Sequence, residues 1–127
     1  MSRTILVCED DEQVRLLLDS ILHDEGYDVL LAAGPDEAVE LAAEHAGAID
    51  VVVSDIDLPR MSGPELVESL HAIQPAFEVL FLSGYSAETI PGRQPPPGAE
   101  FLQKPFDEIS LVQTIGLLLA RRASPLA

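Results

Sequence analysis

Short apolar runs alternate with longer amphipathic segments along this chain. Runs rich in Val, Leu and Ile that end at turn residues are typical of the buried strands of a parallel sheet. Such runs predict five strands, at Thr4–Cys8, Asp28–Ala32, 49–54, 78–82 and Glu100–Gln103. The third run contains Val51-Val52-Val53, which is apolar on both faces of a strand, so we expect it at the centre of the sheet, with the second strand nearer an edge.

Between the strands, apolar residues recur at helical spacing behind recognisable start signals. Asp11 is placed to cap the first helix and Gly26 to stop it, Pro35 opens the second, Gly63 opens the third, and Asp107 begins the last. The alternation predicts an α/β fold in which helices cover both faces of a parallel sheet. The residues expected to face the core are Val14, Leu17, Leu18, Ile21, Leu22, Ala38, Leu41, Ala42, Leu66, Val67, Leu70, Ile73, Ile109, Leu111, Val112, Ile115, Leu118 and Leu119.

The segment between Ser83 and Glu100 breaks this rhythm. A helix is expected there by alternation, but four prolines lie between positions 91 and 97. Proline removes a helical hydrogen bond and clashes with the preceding turn. We therefore expect a short or irregular fourth helix, with at most a turn over 86–90 and extended chain after it.

Length and composition narrow the class of protein. With 127 residues, 47% of them hydrophobic, the chain fits one domain with a real core, which we place at 1–121 with a tail or linker start at 122–127. The apolar runs are too short for a membrane span or a signal peptide, so we expect a cytoplasmic protein without membrane insertion. A net charge of −15 argues against direct nucleic acid binding. Cys8, the single cysteine, is expected to be a small core residue.

Four of the predicted strands end in polar residues of different chemical kinds. The first ends in Glu9-Asp10-Asp11, the third in Asp55, the fourth in Ser83-Gly84 and the fifth in Lys104-Pro105. In an open parallel sheet, ligands bind outside the carboxyl ends of the strands. One cleft would then hold an acidic cluster, a lone aspartate, a hydroxyl and a lysine, which suit a divalent cation and a phosphoryl group.

Taken together, these segments resemble the response-regulator receiver domain of two-component signalling over almost the whole chain. The motifs are Ile5 to Glu12, Asp50 to Gly63, Leu82-Ser83-Gly84 and Phe101 to Phe106, in order and each at a strand end. The sequence from Leu82 to Ser86 looks like the corresponding motif of receivers joined to hybrid sensor kinases. The resemblance implies a (βα)5 flavodoxin-like three-layer sandwich with a central five-stranded parallel sheet.

The resemblance also implies a reaction and the residues that perform it. A phosphoryl group would pass from a sensor histidine kinase or a histidine phosphotransfer protein to Asp55, and later hydrolyse. Such a protein is not a turnover enzyme, because it acts only on its own aspartate. Mg²⁺, with Mn²⁺ as an alternative, would be held by Glu9, Asp10, Asp55 and the backbone carbonyl of Asp57. Ser83 and Lys104 would bind the phosphoryl group, and Ser83 and Phe101 would form the switch.

Further consequences of the resemblance concern partners and departures from the family pattern. An unknown downstream protein would read the phosphorylated state, and the receiver would be a monomer or a phosphorylation-dependent dimer. A cis peptide bond before Pro105 would aim Lys104 inward. Phe101 stands where tyrosine is commoner, Gly84 where alanine is usual, and Asp57 places a second acid beside the site.

Elementary electrostatics fits the same reaction. Glu9, Asp10 and Asp55 carry three negative charges, which Mg²⁺ and Lys104 together balance. Without metal the carboxylates repel one another, so we expect the metal-free protein to be less stable at neutral pH. Two alternatives stay open: a degenerate receiver that binds a partner without phosphorylation, and a phosphatase of the haloacid-dehalogenase type with Asp55 as nucleophile and Asp57 as acid/base.

Overall fold

The computed structural model describes residues 3–84 and 98–123, which form one sheet flanked by helices. The elements are β1 Thr4–Cys8, α1 Glu12–Asp24, β2 Asp28–Ala32, α2 Pro35–Glu44, β3 Ile49–Asp55, α3 Gly63–His71, β4 Glu78–Ser83, β5 Glu100–Gln103 and α4 Glu108–Ala123. All neighbouring strands are parallel, in the order β2-β1-β3-β4-β5. The predicted α/β fold with a five-stranded parallel sheet is confirmed. The irregular helix expected over 86–90 lies outside the described residues, and the boundary after 121 stays a prediction.

The strand order places β1 and β3 side by side at the middle of the sheet. The chain leaves β1 toward β2 at one edge and then returns past β1 to build the other half. Such a reversal opens a crevice at the carboxyl ends of the two middle strands, which is where ligands bind in sheets of this kind. Val51, Val52 and Val53 of β3 are fully buried, as their central position requires.

Alternate residues of the strands supply two separate cores on the two faces of the sheet. Leu6, Val52 and Phe81 pack with α2 and α3 on one face. Ile5 and Val53 pack with α1 and α4 on the other. Because side chains alternate along a strand, each middle strand contributes to both cores, and packing on both faces holds its carboxyl end in position.

Among helices of the described residues, none is long and apolar enough to cross a membrane.

The predicted helix starts are mostly in place. Asp11 caps α1 by accepting hydrogen bonds from the amides of Gln13 and Val14, at 2.9 and 3.1 Å. Pro35 occupies the first turn of α2. Asp107 precedes α4 rather than beginning it, and accepts a hydrogen bond from the Ser110 amide at 2.7 Å. The Asp11 cap fixes where the chain turns immediately after Glu9 and Asp10.

Two residues predicted to face the core are instead exposed. Leu17 is 50% exposed because the buried side of α1 is centred on Leu18, Ile21 and Leu22, and Leu17 lies at its margin. Ile109 is 69% exposed because it lies almost opposite Leu111 around the helix axis.

The element boundaries also differ slightly from prediction. The strands β3 and β4 each run one residue further, and α3 ends at His71, short of Ile73 and Pro75.

Candidate functional site

The register of the sheet brings the polar strand ends to one edge. Cys8 pairs with Ser54, so Glu9 follows at the level of Asp55. Asp55 in turn pairs with Leu82, and Ser83 follows one residue later. Each of these residues is placed by main-chain pairing of buried strands, so the positions of their Cα atoms are set by the sheet rather than by a loop.

Asp55 ends the central strand and is nearly covered. Its residue is 6% exposed, and Oδ1 lies 2.7 Å from Nζ of Lys104. Burial, and after it the neighbouring Glu9 carboxyl, raise the pKa of Asp55 from 3.8 to about 7, although Lys104 acts in the opposite direction. A further cation beside Asp55 would favour its ionised form at neutral pH.

Glu9 is fully buried, and both of its carboxylate oxygens and both of its backbone polar groups have partners. Oε1 accepts a hydrogen bond from the amide of Asp11 at 3.1 Å, and Oε2 lies 3.0 Å from Nζ of Lys104. Its amide donates to the carbonyl of Ala32, and its carbonyl accepts from Nη1 of Arg15 at 2.9 Å. These contacts leave Glu9 little freedom to change its rotamer.

Lys104 reaches both buried carboxylates from the end of β5. Its amide donates to the carbonyl of Ser83 at 2.7 Å, which ties the lysine's backbone to β4. The peptide bond to Pro105 is cis, as the resemblance implies. Desolvation works against the charged ammonium, but hydrogen bonds to Asp55 and Glu9 outweigh it, so the net pKa of Lys104 is raised. The lysine is therefore a permanent positive charge in the site.

The acidic cluster has a donor set that suits Mg²⁺. Glu9, Asp10 and Asp55 each offer one carboxylate oxygen, and these oxygens lie within 4.8 Å of one another. Asp10 is exposed while the other two are buried, so the cluster opens to solvent on the Asp10 side. Mg²⁺ binds oxygen ligands and keeps several of its waters, which a half-open carboxylate cluster accommodates. The residues present therefore fit the cation.

The loop after β3 is pinned close to the site. Asp57 has an exposed side chain and bridges to Ser62 through the backbone. The amide of Gly63 donates to the carbonyl of Ile56, and a Cβ on Gly63 would sit far inside contact distance of the carbonyl oxygen of Asp55. Glycine at 63 is thus needed for the start of α3 to pack against the end of β3.

The two residues expected to form a switch lie on neighbouring strands. Ser83 is buried, and Phe101 is half-buried with its ring centroid 5.6 Å from that of Phe81. Phe81 pairs directly with Phe101 across β4 and β5. Ser83 and this aromatic pair lie on the same two neighbouring strands, and the switch itself stays a prediction.

Sequence reasoning missed several residues that support the site. Ser62 and Glu65 form a capping box at the start of α3, and the spacing Ser-x-x-Glu was available as a signal. Arg15 had no such signal, because its hydrogen bond to the Glu9 carbonyl depends on how α1 folds back over β1.

Cys8 is buried as predicted, and burial together with the nearby carboxylates raises the pKa of its thiol to about 12. The thiol is therefore protonated at neutral pH.

Comparison with known proteins points to one family. A family model for the response regulator receiver domain matches residues 5–116. The sensor kinase CckA of Brucella abortus (strain 2308) is 38% identical over 123 residues, which cover 95% of this chain and 13% of that kinase. The receiver protein CpdR of the same organism is 31% identical, covering 92% of this chain and 97% of that protein. The structure of a response regulator receiver protein from Sinorhizobium medicae WSM419 superposes with a TM-score of 0.83 at 29% identity, covering 95% of this chain and 97% of that one.

Proposed function

The chain belongs to the response regulator receiver family of two-component signalling, and from that premise we propose that it accepts a phosphoryl group on Asp55. The observation that carries the proposal is the position of Asp55: a nearly buried carboxylate at the end of the central strand, paired with Lys104 at 2.7 Å and flanked by Glu9 and Asp10. A carboxylate held in this way is a competent nucleophile for phosphoryl transfer.

The reaction we propose conserves atoms and charge. An Asp55 carboxylate oxygen attacks the phosphorus of a phosphohistidine, an O–P bond forms and the N–P bond breaks. The electron pair of that bond stays on the imidazole nitrogen of the donor, which takes up a proton. In the later hydrolysis, water attacks the phosphorus and returns inorganic phosphate and the free carboxylate.

Each supporting side chain has a distinct task in this reaction. Lys104 offers positive charge to the oxygens of the arriving phosphoryl group, and the Ser83 hydroxyl offers a hydrogen bond beside it. Glu9, Asp10, Asp55 and the carbonyl of Asp57 would hold Mg²⁺, which supplies charge neutralisation to the transferring group when bound. Asp55 is nearly buried whereas Asp10 is exposed, so we propose that the phosphoryl donor approaches from the Asp10 side.

Signalling would follow from the change in charge at Asp55. The acyl phosphate replaces a carboxylate that Lys104 and Ser83 can reach, and Phe101 lies on the strand that ends one residue before Lys104. A shift in these groups would change the population of two conformations that a downstream protein distinguishes. A histidine kinase or histidine phosphotransfer protein is the donor we propose, because receivers as a family accept phosphoryl groups from such partners.

The test is intact-mass spectrometry after incubation with phosphoramidate or acetyl phosphate, with and without Mg²⁺. We expect a Mg²⁺-dependent gain of one phosphoryl group on the wild type and none on Asp55→Asn. An adduct retained on Asp55→Asn would refute the assignment. No adduct on the wild type would favour a phosphorylation-independent interaction module, and steady turnover of p-nitrophenyl phosphate would favour the phosphatase alternative.

A further inference from the structure

The entrance to the site has an acidic surface. Asp10, Asp57 and Asp107 are exposed, and they follow the carboxyl ends of β1, β3 and β5, respectively. A phosphoryl donor carries negative charge, so this surface repels it. The net charge of −15 on the whole chain adds to the repulsion. A cation at the entrance would therefore raise the rate at which donors arrive.

Arg60 is a cation in this position. It lies in the loop between β3 and α3, after Asp55, and its side chain is 75% exposed. Two other basic residues near this edge are partly covered, since Lys104 bonds to the buried carboxylates and Arg15 to the Glu9 carbonyl. The remaining arginines of the described ranges pair with acids at the amino ends of the strands: Arg3, Arg121 and Arg122. Arg60 is thus the exposed cation at the entrance, as far as the structure describes the chain.

The backbone of Arg60 is strained. Its φ is +71°, a conformation that a side chain disfavours and that glycine adopts freely. The side chain forms an ion pair with Asp36 at 2.6 Å, in which both groups are 75% exposed. Exposed ion pairs contribute little to the stability of a fold. An unfavourable backbone conformation at an exposed arginine therefore points to a function for the side chain.

Asp36 holds the guanidinium of Arg60 from the first turn of α2. The ion pair thus joins α2 to the loop after β3 at the carboxyl-end edge of the sheet. A neighbouring carboxylate cancels part of the field of a guanidinium, so Asp36 weakens the attraction of Arg60 for an arriving anion. Because the pair is exposed and readily broken, a phosphoryl group competes with Asp36 for the guanidinium.

We propose that Arg60 is a steering residue for the phosphoryl donor. Its guanidinium attracts the anionic phosphoryl group to the acidic entrance, and Asp36 moderates that attraction. This inference rests on the proposed function, because it requires phosphoryl transfer to Asp55. Arg60 has no part in making or breaking bonds; it acts on the encounter and favours donors that carry more negative charge.

The first test measures initial rates of phosphorylation by intact-mass spectrometry, in saturating Mg²⁺, with acetyl phosphate and with phosphoramidate. Arg60→Gln should lower the second-order rate constant for acetyl phosphate about threefold to tenfold at low ionic strength, whereas Arg60→Lys should retain most of it. The loss should be smaller with phosphoramidate, which is less negative at neutral pH. It should nearly vanish in about 1 M NaCl, where the Debye length is about 3 Å. An unchanged rate, or a loss that is equal for both donors and at both salt concentrations, would overturn the proposal.

Two matched controls separate a local effect from a change in net charge. Arg121→Gln removes the same charge at the opposite end of the sheet, where Arg121 pairs with Glu100, and its rate should stay within about twofold of the wild type. Asp36→Asn should accelerate phosphorylation by acetyl phosphate, since it frees Arg60, whereas Glu44→Gln at the far end of α2 should not. Equal losses in Arg60→Gln and Arg121→Gln would contradict steering, and a slower Asp36→Asn would contradict the moderating role.

Arg60→Gly distinguishes steering from a structural role. Glycine relieves the strained φ, so this variant should unfold at the same urea concentration as the wild type or at a higher one, and still lose the rate that Arg60→Gln loses. A slower variant that also unfolds at lower urea would mean that Arg60 supports the loop, against the proposal. The proposed function fails separately: a wild type that gains no phosphoryl group from either donor refutes that function, whereas a phosphorylated wild type that Arg60→Gln matches in rate refutes only the steering.

Discussion

Replacing Asp55 by asparagine should stabilise the metal-free protein at neutral pH and leave it nearly unchanged in mild acid. Asparagine has almost the same shape but carries no charge. In the fold, burial and the Glu9 carboxyl outweigh the effect of Lys104 and raise the pKa of Asp55 from 3.8 to about 7. The folded protein therefore binds one more proton than the unfolded chain between those two values, and its stability falls as the pH rises through that window. Above pH 7 the destabilisation caused by the ionised Asp55 is constant, and it is absent from Asp55→Asn.

The size of the effect follows from the pKa difference with a correction for solvent. Three pKa units correspond to about 4 kcal/mol at the limit of full coupling. The cluster opens to solvent at Asp10, and the Lys104 side chain is 27% exposed, so screening reduces this figure. We expect Asp55→Asn to exceed the wild type in free energy of unfolding by about 1–2 kcal/mol at pH 8. Near pH 4 the two proteins should agree, because Asp55 is then neutral in the folded wild type.

The assay is urea unfolding followed by circular dichroism, in EDTA, at several pH values from 4 to 8.5. The difference between the two proteins is the informative quantity, because titration of carboxylates remote from Asp55 cancels in it. A difference that stays constant across this range would refute the reasoning. Adding Mg²⁺ at pH 8 should stabilise the wild type more than the variant, since the variant has lost one of three carboxylates that would hold the cation.

Four further substitutions test the framework around the site. Gly63→Ala should destabilise the fold by about 2–4 kcal/mol, since the new methyl group meets the last carbonyl of β3, and a thermal shift within error of the wild type would contradict that packing. Leu18→Ala should cost about 2–5 kcal/mol in chemical unfolding, whereas Leu17→Ala should cost under about 1 kcal/mol; equal losses would mean that the exposed face of α1 is misassigned. Gln74→Ala should lower the free energy of unfolding by about 2–4 kcal/mol, because the buried Gln74 side chain accepts a hydrogen bond from the backbone N–H of Ile49 and donates one to its carbonyl. A near-neutral result in urea unfolding would show that water replaces the Gln74 side chain.

The fold was predictable because its signals are local and repeated. Short valine-rich runs, proline at a helix start and an aspartate cap each act within a few residues, and together they define the alternation of strands and helices. The same logic placed Glu9, Asp55, Ser83 and Lys104 at one edge, because parallel strands end on the same side of a sheet. That edge follows from topology alone, without any knowledge of side-chain rotamers.

Contacts made by long side chains were beyond the sequence. Nothing in the pattern shows that Lys104 spans two carboxylates or that Arg15 folds back to the Glu9 carbonyl. Exposure of Leu17 and Ile109 was also missed, since helical spacing defines a face but not how wide a strip of it the sheet covers. The proline-rich segment gave a compositional expectation for 86–90 that lies outside the described residues.

The ion pair between Lys104 and Glu9 joins residues 95 positions apart, so it closes a loop that includes most of the chain. Closing such a loop is entropically expensive, and in the finished fold the ends are held together by the pairing of β1 with β3, β3 with β4 and β4 with β5. A chain still emerging from the ribosome has its aspartate long before it has its lysine. Phosphoryl acceptance of the kind proposed would thus require the completed sheet, because its groups meet only when β1, β3, β4 and β5 are all paired.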